Sequence, residues 1–306
     1  MPQTLSATPI ISVIIATRNR RESLRQFIEA LRSLPNEPAW ELVVADNGST
    51  DGTDLLLAKL ATDFPLVVVR ESRPGKSRAL NRAMEQARGE LLVFSDDDVV
   101  PEKNWLAALH DAATRYPAAN IFGGRICVDY ERIPEWIVHS SNLRTMLVSE
   151  QNLGNDLCWF DTGQYPIGPN LAVRRRALGH IFSAWPVNLG PGTRIPLGDE
   201  RIFLMQISPP YARDRLYVPK SIVQHQVRGR QLRACDALAR CFLGGFAAGI
   251  SGRMDARRDM KSMAAGSRAL ARLRAVTSSQ EMFCIFARAL GVMFGSICPR
   301  RRGAGN

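Results

Sequence analysis

Three consecutive carboxylates, Asp96-Asp97-Asp98, follow the apolar run ELLVF at residues 90–94. Crowded carboxylates repel one another, which raises at least one pKa unless a cation sits among them. A divalent cation whose shell is completed by phosphate oxygens removes that cost. In an extended chain Asp96 and Asp98 point to one side and Asp97 to the other. Asp96 and Asp98 are then the expected pair for ligand and metal, with Asp97 facing a sugar or steadying the loop. A solvated acidic turn is the plain alternative. Asp46 closes a second apolar run, ELVVA at residues 41–45. Its carboxylate can accept an N–H from a nucleobase or cap the helix that follows, and Asn47-Gly48 marks a turn. Lys76 and Arg78 can meet a diphosphate or ribose, or lie on a helix surface. The surrounding PGKS lacks the leading glycine of a Walker A loop, and no GxGxxG follows the first strand.

These residues need a scaffold, and the first half of the chain supplies one. Short β-branched runs at residues 10–16, 41–45, 66–69, 90–94 and 121–128 predict strands. Helical spacing at residues 21–34, 54–60, 76–87 and 105–116 separates them. Near-continuous apolar strands alternating with helices predict an α/β fold, a mostly parallel central sheet flanked by helices. Polar residues at the carboxyl ends of such strands are where open sheets bind ligands. Residues 129–200 are rich in Gly, Pro and Asn and predict loops, short strands and one or two helices, one of them at residues 199–207. A late strand is expected at residues 215–219. From about residue 231 the pattern is helical, with breaks expected near 249–252 and 277–280.

Charge divides the chain of 306 residues, whose net charge is +11. Residues 1–225 hold 25 basic and 25 acidic side chains, whereas residues 226–306 hold 15 basic and 4 acidic. A neutral body with a basic end predicts a surface for an anionic partner. The apolar run at residues 282–298 contains Arg288 and is short for a bilayer span, so a monotopic or core-packed helix fits it better. No nucleic-acid-binding motif appears, and nucleic acid is not an expected partner. The six cysteines form no CxxC pair, four histidines argue against a multi-histidine zinc site, and residues 1–9 do not read as a signal peptide. A reducing, cytoplasmic setting is expected.

Taken together and in order, these segments resemble the GT-A fold glycosyltransferases of family 2. The resemblance runs through SVIIATRNR (12–20), VVADNGSTDGT (43–53), PGKSRALNRAM (74–84), FSDDDVVP (94–101), IGPNLAVRR (167–175), LGDERIFL (197–204) and VQHQV (223–227). It covers about residues 10–230, leaving 231–306 as a helical basic C-terminal extension. The implied domain is 1–230, with a nucleotide-binding half at 10–128 and an acceptor-binding half at 129–230.

The resemblance implies an inverting transferase that uses a nucleotide-diphosphate sugar, most commonly a UDP-sugar, with Mn2+ or Mg2+. Thr17, Arg18, Arg20 and Asp46 are implied to hold the base and ribose side, with Lys76, Arg78, Asp96, Asp97 and Asn170 also toward the donor. Asp98 and Asp96 are implied metal ligands, with His225 a third ligand or a diphosphate donor, and Arg228 and Arg230 close over the phosphates. The family's Glu-Asp pair reads Asp199-Glu200 here. Position favours Glu200 as the base, while aspartate is the commoner chemistry, at 199. Trp136, Trp159 and Trp185 are expected mainly in the core, with stacking on a sugar acceptor as the alternative. The acceptor is implied to be a saccharide or a lipid-linked hydroxyl. Charge and the 282–298 run point to peripheral attachment on the inner face of a membrane. A sugar-phosphate nucleotidyltransferase is the rival enzyme, but it would carry a glycine-rich basic loop after the first strand. A non-catalytic nucleotide-sugar or polyanion binder is the third reading, and the carboxylates at 199–200 speak against it.

Overall fold

Along the first strand Ile11, Val13 and Ile15 enter one apolar cluster and Ile14 another, and the next strands repeat the alternation. Each sheet face is therefore apolar, and each is covered. The structure, a computed structural model, describes residues 8–62, 64–179, 184–227, 229–256 and 279–297. In chain order the elements are β1 (Ile11–Thr17), α1 (Arg21–Leu31), β2 (Trp40–Asp46), α2 (Thr53–Leu60), β3 (Leu66–Arg70), α3 (Lys76–Gln86), β4 (Leu91–Phe94), β5 (Val99–Pro101) and α4 (Trp105–Arg115). They continue with β6 (Ile121–Val128), α5 (Glu135–Val138), α6 (Ser141–Val148), β7 (Cys158–Trp159), β8 (Leu171–Arg174), α7 (Asp199–Ile207), β9 (Arg215–His225), α8 (Ala234–Ala256) and α9 (Ser279–Ile297). By contacts the chain parts into two units, Met1–Tyr130 with Val148–Val227 and Glu131–Leu147 with Arg228–Asn306.

The first unit holds the sheet, ordered β3-β2-β1-β4-β8-β6-β9-β5 with β7 beside β9. Strands β3, β2, β1 and β4 are parallel. Beyond them the pairing is mixed: β8 runs antiparallel to β4 and β6, and β9 runs parallel to β6. Helices α1 and α4 cover one face. Leu24, Phe27, Ile28 and Leu31, at helical spacing on α1, are fully buried, and each such side chain contributes about 1.5–3 kcal/mol. Helices α3 and α7 cover the other face through Ala79, Leu80, Ala83, Met84, Phe203 and Leu204. The chain extends from β1 to β2 and β3 on one side and returns to β4 on the other. The crevice between the ends of β1 and β4 is thus the switch point at which such sheets bind ligands.

Strand β9 outruns its expected end at residue 219. Its register against β6 jumps from Gly124↔Val218 to Arg125↔Ile222, so residues 219–221 bulge out and pairing resumes to His225. Asn170 makes the bulge possible: its Nδ2 donates to the carbonyls of Arg125 and Ser221 at 2.9 and 3.0 Å. Gly124 must lack a side chain, because a Cβ there would lie 2.5 Å from Asn170 Cγ. In the second unit α8 runs unbroken through the break expected at 249–252. A buried glycine costs a helix about 1 kcal/mol relative to alanine, which packing against α9 offsets. Of the break expected at 277–280, residues 277 and 278 lie outside the described residues, and α9 begins at Ser279.

Candidate active site

Strands β1, β2 and β4 end side by side, with Thr17 level with Asp46 and Ile14 level with Phe94. Asp46 is buried, and its Oδ1 accepts the Ser49 N–H at 3.0 Å, which closes the turn after β2. Its neighbour Asn47 has a role that the turn signal did not disclose. Its Nδ2 donates to the carbonyls of Glu71 and Arg73, both at 2.8 Å, while its Oδ1 accepts the Gly75 N–H at 2.9 Å. Asn47 thereby folds the segment before α3 across the strand ends and delivers Lys76.

The acidic triplet is a turn between β4 and β5 rather than an extended strand, so strict alternation fails. Asp97 and Asp98 converge on Arg20, whose Nη1 lies 2.8 Å from Asp97 Oδ1 and 2.8 Å from Asp98 Oδ2. The Thr17 hydroxyl donates to Asp97 Oδ2 at 2.7 Å, tying β1 to the turn at the switch point. Asp96 instead pairs with the Lys76 ammonium. Burial raises the Asp97 carboxyl above its usual range despite Arg20. Burial also works against the Asp98 carboxylate, but His225 and Arg20 outweigh it and hold the group at about 2.

His225 reaches this turn because β9 continues past its bulge. Its Nδ1 donates to the Val148 carbonyl at 2.7 Å. In the neutral ring Nε2 then carries the lone pair, and it faces Asp98 Oδ1 at 3.6 Å. Two acceptors facing each other call for a cation between them, a proton or a metal ion. One carboxylate oxygen and one imidazole nitrogen are donors that a divalent cation can take. Among the described residues no group of three His, Cys, Asp or Glu side chains is placed to hold a metal ion. The structure thus brings Asp98 and His225 together as candidate ligands and turns Asp96 away onto Lys76.

A pocket of about 130 Å³ adjoins this crevice, lined among others by Lys76, Phe94, Asp96, Trp185, Asp199 and Glu200. The last two open α7. Asp199 is buried, with its Oδ2 3.3 Å from the Ser77 hydroxyl. Glu200 accepts the backbone N–H of Gly168. Burial, and then the neighbouring Asp199 charge, push the Glu200 carboxyl up to about 8. Burial likewise raises Asp199. Burial disfavours the charge on Lys76, but Asp96 and then Asp199 reverse that and raise its pKa. Trp185 is 3% exposed, stacked on Phe203 at 4.4 Å, and held to α3 by the Asn81 amide. Ser77 also lies 3.1 Å from the Leu189 carbonyl, and the Lys76 N–H donates to that of Pro191. One turn of α3 therefore anchors the irregular segment that leads into α7.

The remaining expected residues divide. Arg18 is exposed after β1 and Arg78 half-buried on α3, and neither side chain forms an ion pair among the described residues. Asn170 is corrected from a ligand contact to a core strut. Its side chain is fully buried, and its Oδ1 accepts from Trp105 Nε1 at 2.9 Å and the Ser221 hydroxyl at 3.2 Å, so its bonding capacity is spent. Trp159 is exposed and Trp136 half-buried, so of the three tryptophans only Trp185 lines the pocket. Arg228 and the Arg230 side chain lie outside the described residues. Ser77 is a site residue that sequence reasoning missed, its one signal being its place beside Lys76; Asn47 and Gly168, legible only as a strand-end turn residue and a glycine shaping the backbone, prove to position Lys76 and Glu200.

A profile of the family described as "Glycosyl transferase family 2" matches residues 12–182. The chain belongs to glycosyl transferase family 2. Among characterised and uncharacterised family relatives, it is 34% identical over 129 residues to the uncharacterized glycosyltransferase YfnE of Bacillus subtilis, covering 40% of this chain and 33% of that protein. The chain thus spans about a third of the length of that curated relative. It shares its fold with the mannosyltransferase PcManGT from Pyrobaculum calidifontis, solved in complex with GDP-Man and Mn2+. The TM-score is 0.60 at 20% identity, over 94% of this chain and 88% of that one. S. aureus TarS 1–349 in complex with UDP-GlcNAc gives a TM-score of 0.53 at 15% identity, over 93% and 90% of the two chains. The mixed, mostly parallel sheet flanked by helices is that of the GT-A fold.

Proposed function

We propose that this family 2 chain transfers a sugar from a nucleotide-diphosphate donor, a UDP-sugar, to a hydroxyl of a saccharide or lipid-linked acceptor. The observation that carries the reading is Glu200: a carboxylate raised to about 8 in a pocket that also holds the Lys76–Asp96 pair. A base matched to neutral pH, beside a cation, suits an acceptor hydroxyl and a departing diphosphate. The acceptor oxygen forms a bond to the anomeric carbon as the bond to the diphosphate oxygen breaks. Glu200 takes the acceptor proton, and a single displacement inverts the centre. Two flanking carboxylates of a glycosidase would instead need a water or nucleophile placed between them.

Asp46 accepts from the nucleobase, and Thr17 and Arg20 hold Asp97 and Asp98 in register with it. Lys76 keeps Asp96 oriented and offsets negative charge in the crevice. Asp98 and His225 are the residues that would hold Mn2+ or Mg2+. Such an ion, when bound, stabilises charge on the leaving diphosphate. Asp199 fixes α7 and the loop before it through Ser77, leaving Glu200 to the proton. The reaction belongs on the cytoplasmic side in this reading.

Titration of the purified chain with UDP-, GDP- and dTDP-sugars, with Mn2+ and then with EDTA, tests the proposal. Metal-dependent binding of a UDP-sugar supports it, and binding of a GDP- or dTDP-sugar alone overturns the choice of nucleobase. A folded protein that binds none of them overturns it.

A further inference from the structure

Helix α9 uses one face to pack and leaves the other bare. On the packed face Cys284 and Gly291 are buried against α8. The approach is close: a Cβ on Gly291 would meet the Phe242 backbone, and one on Gly245 would meet that of Arg288. On the other face Phe283, Phe286 and Met293 are 59%, 60% and 56% exposed, with Leu290 half-buried between them. At about 100° per residue these four positions fall within an arc of about 80°, opposite the packed face. A contiguous apolar stripe of this kind marks an interaction surface.

Charge identifies the occupant. The region from residue 226 onward carries 15 basic and 4 acidic side chains, and Arg300, Arg301 and Arg302 follow Ile297 closely in sequence. A second copy of the chain would bring the same positive excess and be repelled. An anionic lipid surface offers both an apolar boundary and opposite charge. No helix among the described residues is long and apolar enough to cross a membrane, which fits a helix lying in the interface.

We propose that α9 docks flat on an anionic bilayer, with Phe283, Phe286, Leu290 and Met293 seated at the boundary between headgroups and acyl chains. This inference stands apart from the assignment of a transfer reaction, since it uses none of the same residues.

The test is co-sedimentation of the full chain with vesicles of phosphatidylglycerol and phosphatidylcholine, and of phosphatidylcholine alone, at low and high salt. The expected result is binding to the anionic vesicles, weakened by salt. A triple variant, Phe283→Ser with Phe286→Ser and Met293→Ser, is expected to bind at least about tenfold more weakly with its melting temperature unchanged. Three results overturn the proposal. The chain ignores anionic vesicles at low salt; or the folded triple variant binds as tightly as the parent; or light scattering shows an oligomer that the triple variant disperses, with no vesicle binding by either. Donor titration reports separately on the transfer reading, so failure of one leaves the other intact.

Discussion

The Gly168 backbone N–H donates to the Glu200 carboxylate, and a Cβ on the same glycine would lie 2.5 Å from Oε2, so a side chain there would push the carboxylate aside. One backbone group thus orients the proposed base, and the missing side chain lets the carboxylate keep that position. Gly168→Ala is expected to displace Glu200 and to lower kcat by roughly tenfold or more, with donor affinity retained. Steady-state kinetics beside donor calorimetry checks this. Equal losses in both would mean that the substitution disturbs the whole crevice.

Replacing the carboxylate itself is the sharper probe. Glu200→Gln keeps the shape and the Gly168 contact but removes the proton acceptor. Transfer is expected to fall by about 10²–10⁴ while nucleotide-sugar binding survives. An active Glu200→Gln enzyme would reassign the base to Asp199.

The same group makes activity and stability depend on pH in opposite senses. Its folded pKa is about 8, above the ordinary 4.5. Activity needs the charged form, so kcat is expected to rise with pH through about 8. Between 4.5 and about 8 the unfolded chain has released this proton while the native state holds it. The contribution to stability is therefore full at low pH and is lost as pH rises through about 8. Glu200→Gln is expected to flatten that part of the melting-temperature profile. An unchanged slope in the variant would show that another group produces it.

Asp98→Ala removes one of the two candidate ligands facing each other across the 3.6 Å gap to His225. Donor binding in Mn2+ is expected to weaken by at least about tenfold and to become indifferent to EDTA. Calorimetry with and without the chelator measures both effects. Binding that stays metal-dependent would place the ion elsewhere.

Asn170 is expected to report on folding alone. Truncation to alanine strands the Trp105 N–H and the carbonyls of Arg125 and Ser221. The expected loss is about 2–4 kcal/mol, read by denaturant unfolding. The fraction that folds is expected to bind donor as the parent does.

The elements of the first unit were legible because each strand and helix carries its own periodicity. Residues 199–207 and 121–128 were expected as a helix and a strand and are α7 and β6. Strand β9 was not legible beyond Pro219, because the bulge that lets it continue is held by Asn170, some fifty residues away. The acidic triplet was legible as a site but not as a geometry. Its alternation assumed an extended chain, and the Arg20 guanidinium instead gathers Asp97 and Asp98 while Lys76 takes Asp96.

The sequence by itself determined the α/β class, the order of the motif segments and the concentration of positive charge after residue 225, because these depend on residue type and local spacing. Tertiary structure alone decided which carboxylates meet which cations, that Asn170 is spent in the core and that Asn47 delivers Lys76. Those outcomes rest on contacts between residues far apart in the chain. Burial and charge act there over a few ångströms of space, which no local pattern encodes.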